Sequence, residues 1–340
     1  MCHIYMERER ERERERERKT KGLVSIVIPA YNAGKYLREM LESIYAQTYS
    51  HIEVIVAYDT KSSDNTLEIL QTYSKKYGLI IDIGRDSSSG DARNRGFKLV
   101  RGEYVIFMDA DDFITSTYIE DLMSIYAEHP KLNAVCGNRI HSSEEEIENN
   151  INKAQSSIHS VEVHSQDEAL KNMVAGKLYS GEPWTWLVRK HYLNEESIQF
   201  PDYSYGDDTA YVFSLIVNTD YIGYSTKQGY IFINHSTSLT HSVESFLNLY
   251  EKRKKSREDI KNILGPKHIN IYQQHLGWWN RNLSAHLTKL NYREFRNQLI
   301  FHKIDKLPTL YGDSILLKMS VYCFNMSKYL YWRIYQHMMR

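Results

Sequence analysis

Three carboxylates fall within four positions, Asp109, Asp111 and Asp112, directly after the mostly apolar run YVIFM at 104–108. Residues at i and i+2 of a strand point the same way, and if the chain turns there both still reach one hard cation. A cation held by only one or two protein carboxylates keeps positions open for phosphate oxygens, which suits Mg2+ or Mn2+ carrying a diphosphate. An ordinary acidic turn is the competing reading of DADD taken alone. A second acidic pair, Asp207 and Asp208 in YGDDTAY, can supply a general base or cap a helix beginning at Thr209. The sequence has no GxGxxG after its first strand, no Walker P-loop and no His/Cys metal cluster. A phosphorylated ligand must then be held mainly through a divalent cation, with Arg93 in GDARNRG as the nearby cationic candidate.

The elements that would carry these residues alternate. LVSIVIPAY (23–31) and IEVIVAY (52–58) read as buried strands, the first rich in branched residues, and LIIDIG (79–84) is a third strand candidate. The segments after them, 32–48, 62–78 and 90–100, read as apolar-striped or capped helices, the last leading into the strand that ends at Asp109. Strand–helix alternation with short links predicts an α/β fold, a Rossmann-like, mostly parallel sheet flanked by helices. Such sheets bind ligands beyond the C-terminal ends of their strands, where Pro29, Asp59 and Asp109 all fall. Further on, 113–130 predicts a helix and LNAVCGNRI (132–140) a strand. The polar, acidic stretch 141–157 predicts a mobile loop, and the chain turns helical from His241.

Net charge is zero over 340 residues, which gives no global basic field for nucleic acid. From Ser245 onward, however, 17 Lys and Arg stand against 6 Asp and Glu, while the part before carries 26 against 37. A basic C-terminal part suits an anionic surface. Three scattered cysteines, Cys2, Cys136 and Cys323, fit neither a disulfide framework nor a zinc site. With no apolar run of transmembrane length and no signal-peptide pattern, a cytoplasmic protein is expected. Six Glu-Arg repeats at 7–18 contain nothing to bury and read as a solvated extension.

SIVIPAYN, DTKSSDNT, ARNRG, GEYVIFMDADD and GDDTAY, in that order, resemble the family 2 glycosyltransferases of the GT-A fold, over about residues 23–240. The resemblance implies an inverting transferase that uses a nucleotide-diphosphate sugar, UDP-linked by the family's common donors. Pro29, Tyr31 and Asn32 would line the nucleotide pocket and Asp59 accept from the base. Asp109 would lie near ribose and metal, Asp111 would ligate the cation, and Asp208 would be the general base. Asp207 stands where the family commonly has Glu. Trp184 and Trp186 of WTWLVRK are acceptor candidates beside Asp207, Trp184 as the better sugar platform and Trp186 at a position often occupied by lysine. Their strand-like alternation equally suits a core position for at least one. His235 in NHSTSLTHS is the candidate basic residue near the diphosphate. The second motif departs from the usual DGSTDNT by one extra residue.

The expected organisation is a charged extension (1–22), a catalytic domain (23–240, nucleotide-sugar half 23–140, acceptor half 141–240) and a helical basic region (241–340). The segment 314–339 mixes aliphatic and aromatic residues with Lys318, Lys328 and Arg333. Two readings stand: an interfacial helix on the anionic inner face of the plasma membrane, which with KRKKSR (252–257) suits a lipid-linked glycan acceptor, or packing on the catalytic domain or in a homodimer. A nucleotidyltransferase acting on a sugar phosphate and a catalytically inactive glycan-binding subunit are the competing functions. The first lacks its early glycine-rich loop here, and the second sits badly with intact Asp59, Asp109, Asp111 and Asp208.

Overall fold

The structure is a computed structural model describing residues 20–157, 159–179, 181–233, 250–287, 292–301, 322, 324–329 and 331–333. The Glu-Arg repeat, His235 and most of 314–340 lie outside the described residues. The chain divides into two compact units, one of residues 1–166 and 182–235, the other of 167–181 and 236–340.

In the first unit, β1 (Val24–Ala30), β2 (Ile52–Asp59), β3 (Ile80–Gly84) and β4 (Tyr104–Phe107) pair in parallel in the order β3-β2-β1-β4. The crossovers carry α1 (Leu37–Tyr45), α2 (Thr66–Tyr77) and α3 (Ser89–Phe97). Val24, Ile26, Ile28, Val56 and Ile106 are fully or nearly fully enclosed. β1, β2 and β4 are covered on both faces and so carry continuous apolar runs, whereas β3 is an edge strand, half-buried with Ile83 exposed.

Beyond β4 the sheet becomes mixed. β8 (Trp186–Arg189) runs antiparallel to β4 and to β6 (Ala134–Ser142), and β9 (Tyr221–Ile233) runs parallel to β6. The short β5 (Phe113–Ile114) and β7 (Val161–Ser165) pair antiparallel with β9. The expected helix after Asp112 therefore starts late. Phe113 and Ile114 join the sheet, and α4 covers Tyr118–Glu128.

The stretch 141–157 is structured, contrary to the loop its composition suggests. β6 continues through Ser142, and α5 spans Ile147–Gln155. Ile147 and Ile151 pack against Ile140, Ile231 and Ile233, and Ala154 is fully buried. Spacing i, i+4, i+7 puts all three on one helical face, a signal that the acidic average conceals.

In the second unit, α6 (Gln166–Val174, from its second residue on), α9 (Lys254–Leu264), α10 (Ile269–Leu287) and α11 (Tyr292–Phe301) are helical. Between α6 and α9 come α7 (Lys190–Glu195) and α8 (Asp207–Val217) of the first unit. Trp279, Leu283, Leu287, Phe295 and Phe324 form a core of the second unit. Among the described residues no helix is long and apolar enough to cross a membrane.

Candidate active site

The parallel register sets Ala30 beside Tyr58 and Asp59 beside Gly84, so the loops after β1 and β2 leave the sheet together. These two loops are tied by hydrogen bonds. Asn32 accepts from the Ser63 N–H through Oδ1 (2.8 Å), and its own N–H donates to Ser62 Oγ (3.1 Å). Asp64 accepts from the Gly34 N–H at 2.8 Å and from Thr66 Oγ1 at 2.6 Å. Burial pushes the Asp64 carboxyl up, but these donors outweigh it and hold it below the usual carboxylate range. Asn32 sits at φ 48°, in the left-handed region that asparagine tolerates better than most residues. Tyr31 and Asn32 are exposed beyond the end of β1, and Pro29 is half-buried. An exposed tyrosine ring there can stack on a planar base.

Asp59 is placed otherwise than a free acceptor for a base would be. Its residue is 7% exposed. Its Oδ1 accepts from the Lys61 N–H at 2.9 Å, and the Lys61 ammonium lies 3.2 Å from Oδ2. Burial raises the carboxyl, but Lys61 and a backbone N–H from Asp86 bring it below its ordinary value. Lys61 also donates to the Asp86 carbonyl. Asp86 is in turn gripped by Arg95 Nε (2.9 Å) and Nη2 (2.7 Å).

Asp208, the predicted base, and Asp109, one of the two predicted metal residues, meet at Arg93. Its guanidinium is 2% exposed and donates from Nη1 to Asp208 Oδ1 at 2.7 Å and from Nη2 to Asp109 Oδ1 at 2.5 Å. The face of Phe200 lies 5.2 Å beneath it. Both terminal nitrogens donate to carboxylates, and Nη1 also reaches Ser89 Oγ at 3.4 Å, so the guanidinium expected to face phosphate faces Asp109 and Asp208 here. Burial pulls the guanidinium pKa down, but Asp208 and Asp109 more than restore it, so Arg93 stays charged.

α8 begins at Asp207 with Gly206 as its N-cap, in a left-handed conformation (φ 82°) that explains glycine before the acidic pair. No side-chain capping bond is made there. Asp208 does not cap the helix but faces Arg93. Its side chain is 30% exposed, open enough for a hydroxyl to reach. Burial, with Asp207, Asp109 and Glu182 adding negative charge, outweighs Arg93 and raises Asp208 to about 7. Asp207 is buried at 3%, so direct contact with a sugar acceptor is not open to it as it stands.

Of the carboxylates after β4, Asp109 and Asp111 are partly exposed while Asp112 turns inward. Asp112 accepts from the Tyr230 hydroxyl (2.7 Å) and the Ile233 N–H (2.9 Å). Burial and the charges of Asp109 and Asp111 push its carboxyl far up. Tyr230 was not legible as a site residue, because it lies 118 positions from Asp112 and only β9 delivers it. Among the described residues no three His, Cys, Asp or Glu side chains form a complete metal site. Asp109 and Asp111 are half-buried carboxylates just beyond β4, hard oxygen donors of the type that Mg2+ or Mn2+ takes with phosphate and water completing its shell.

The tryptophans are not sugar platforms. Trp186 is fully buried in β8, and Trp184 is 3% exposed. Trp184 stacks on Tyr230 (centroids 4.5 Å apart) and Phe232 (5.5 Å). A stacking face must be open to its ligand, whereas here the rings fill the sheet's mixed half and back the Tyr230–Asp112 pair. His235 lies outside the described residues.

The fold is similar to that of solved glycosyltransferase structures of the GT-A fold. The crystal structure of Staphylococcus aureus TarS 1–349 in complex with UDP-GlcNAc superposes with a TM-score of 0.60 at 20% identity, over 92% of this chain and 91% of that one. The Pyrobaculum calidifontis mannosyltransferase PcManGT, in complex with GDP-Man and Mn2+, gives 0.50 at 15% identity, covering 91% of this chain and 84% of that one. In sequence, the family described as Glycosyl transferase family 2 matches residues 25–195, and the chain belongs to that family. The uncharacterized glycosyltransferase YibD of Escherichia coli K12 is 25% identical over 294 residues, 84% of this chain and 80% of YibD. The poly(ribitol-phosphate) beta-N-acetylglucosaminyltransferase TarS of S. aureus is 34% identical over 108 residues, 31% of this chain and 19% of that longer protein. The protein is a glycosyltransferase.

Proposed function

We propose that the protein transfers a hexose or N-acetylhexosamine, with inversion, from a UDP-sugar to a hydroxyl of a growing glycan. The observation that carries this reading is the join of Asp109 and Asp208 through Arg93, which lies 115 positions from Asp208 in the sequence. It sets a partly exposed base candidate beside the acidic strand end where a donor diphosphate would be held. The uridine part rests on the nucleotide bound by the TarS neighbour rather than on Asp59, whose carboxylate is taken up by Lys61. Tyr31, Asn32 and the half-buried Pro29 are the residues we assign to the nucleotide.

Asp111, with Asp109 beside it, would hold Mg2+ or Mn2+, which when bound neutralises the diphosphate. Asp208 takes the proton of the acceptor hydroxyl as that oxygen attacks the sugar C1 from the side opposite the diphosphate. The C1–O bond to phosphate breaks, its electron pair leaves with the nucleoside diphosphate, and the configuration at C1 inverts. A base held near pKa 7 is half ionised at neutral pH, which suits this proton transfer. Catalysis is assigned to residues 23–240. The basic residues 241–340 are assigned to an anionic membrane surface bearing a lipid-linked acceptor, on the cytoplasmic inner face, with a homodimer through the C-terminal helices as the other reading.

Two measurements test this. A screen of UDP-, GDP- and dTDP-sugars with lipid-linked glycan extract should give nucleotide diphosphate release that is largest with a UDP-sugar. Calorimetry should show UDP binding that needs Mg2+ or Mn2+ and is lost in Asp111→Ala. Unchanged UDP affinity in the presence of chelator would remove the cation from the scheme.

A further inference from the structure

The buried cation of the site has no task in the chemistry above. Arg93 has both terminal nitrogens on carboxylates, its face covered by Phe200, and its Nε buried without a hydrogen-bond partner. Burying a guanidinium is costly and an unsatisfied N–H adds to the cost, so the pairing must be held by its surroundings. Those surroundings are α3, the segment between α7 and α8 that carries Phe200, and α8 itself. Asn94, the next residue, donates from Nδ2 to the Phe200 carbonyl (2.8 Å) and accepts the Phe200 N–H through Oδ1 (3.0 Å). Phe200 stacks on Tyr211 of α8 (4.1 Å between centroids, 8° between planes). α3 also approaches the start of α8 so closely that a Cβ on Gly90 would lie 2.6 Å from Asp207 Oδ2. Together these contacts tie α3 to α8, directly at Gly90 and through Phe200, and so fix Asp208 relative to Arg93.

We propose that Arg93 is a positioning residue for the general base, holding Asp208 in line with Asp109, and is not a ligand of the donor phosphates. This rests on the assignment of Asp208 as base. A planar fork with two donors to two different carboxylates fixes their separation, which a point charge such as lysine does not. Without it Asp208 and Asp109 repel each other and the base is free to turn away from the acceptor. Misplacement of a catalytic group by an ångström lowers turnover without weakening the binding of substrate elsewhere.

The experiment uses the full chain with Mn2+, reading turnover, donor KM and UDP affinity by calorimetry for Arg93→Met, Arg93→Lys, Asp208→Asn and the double variant Arg93→Met/Asp208→Asn. Arg93→Met is expected to lose about 10²-fold in kcat, with donor KM and UDP affinity within about three-fold of the parent. The double variant should be no slower than Asp208→Asn alone, because residues acting as a unit are not additive. Arg93→Lys keeps the charge but not the fork, and should recover only part of the loss. It also serves as the reading variant if Arg93→Met does not fold. A fall in UDP affinity of about ten-fold or more with kcat retained would make Arg93 a phosphate ligand and overturn the proposal. Losses that multiply in the double variant, or full turnover in Arg93→Lys, overturn it as well. Parental turnover in Asp208→Asn strikes the base assignment itself. A slowed Asp208→Asn beside a parental Arg93→Met strikes only Arg93.

Discussion

Asp208 is pulled in opposite directions: a guanidinium 2.7 Å away favours its charge, while burial and three neighbouring carboxylates oppose it. The opposition wins, and the group titrates near 7. A base must be ionised to accept a proton, so kcat should rise with pH through about 7 and level off above, a limb read from initial rates between pH 5 and 9. The same shift has a sign for stability. The folded value lies above the ordinary carboxylate value of 3.8, so the folded state holds the proton more tightly than the unfolded one. This group's contribution is present below about pH 4 and is lost as pH rises through 7. Melting temperatures of the parent, compared with Asp208→Asn, should therefore diverge over that window, the parent losing ground as pH rises. Replacing Asp208 by Asn should leave UDP binding intact and cut transfer by about 10²-fold or more. Asp207→Asn should be milder in transfer assays, because Asp207 is enclosed and acts at a distance through its charge. If Asp207→Asn proves the more damaging, the pair has been assigned the wrong way round.

One helix organises the site at the scale of elements. Successive residues of ARNRG serve different neighbours: Arg93 the carboxylates, Asn94 the Phe200 main chain, and Arg95 the Asp82 and Asp86 carboxylates under the β2 loop. Gly96 lets α3 settle on the sheet, since a Cβ there would meet Val27 Cγ1 at 2.7 Å. Val27 is fully buried in β1 and has no room to give. Gly96→Ala should overpack this contact and cost about 1–3 kcal/mol, seen as a lowered urea midpoint with an unchanged slope. Transfer activity should fall alongside, because α3 carries Arg93. An equally stable Gly96→Ala would mean that helix and sheet can part without strain. The strands and α3 were legible because burial on both faces and helix periodicity leave strong local patterns. Helix α5 was not, since only Ile147, Ile151 and Ala154 mark its buried face among acidic neighbours.

Over the whole chain, charge separates along the sequence, with the positive excess after Ser245. In the second unit Trp278, Tyr322, Met326 and Tyr329 are exposed, and Lys328 lies over the Phe324 ring. Aromatic and aliphatic groups with nearby cations are what an interfacial helix presents to anionic lipid. The full-length protein should therefore co-sediment with anionic vesicles, and high salt should release it by screening. Removing residues 314–340 should reduce both vesicle binding and transfer to a lipid-linked acceptor. Hydrolysis of the donor by water should persist, because Asp208 lies in the other unit. Equal, poor pelleting of the full-length and shortened proteins would favour a homodimer contact, which sedimentation velocity would then detect.

The sequence alone determined the parallel half of the sheet and the strand ends that carry Pro29, Asp59 and Asp109, because apolar runs and their period are local properties. It also singled out Asp111 and Asp208 through motif order. Only the tertiary structure decided what each polar group faces. Arg93 reads in sequence as a cation near a phosphorylated ligand, yet folding encloses it between Asp109 and Asp208. For Trp184 and Trp186 the sequence left a core position and a sugar platform equally open. Yet Trp186 lies in the inner strand β8, Trp184 just before it stacks on Tyr230, and both are buried. Asp112 looks equivalent to Asp111 in DADD, yet Tyr230 draws it inward from 118 positions away. Period and composition report the faces of one element, whereas a side chain's partner depends on which distant element packs there, and burial then sets its charge.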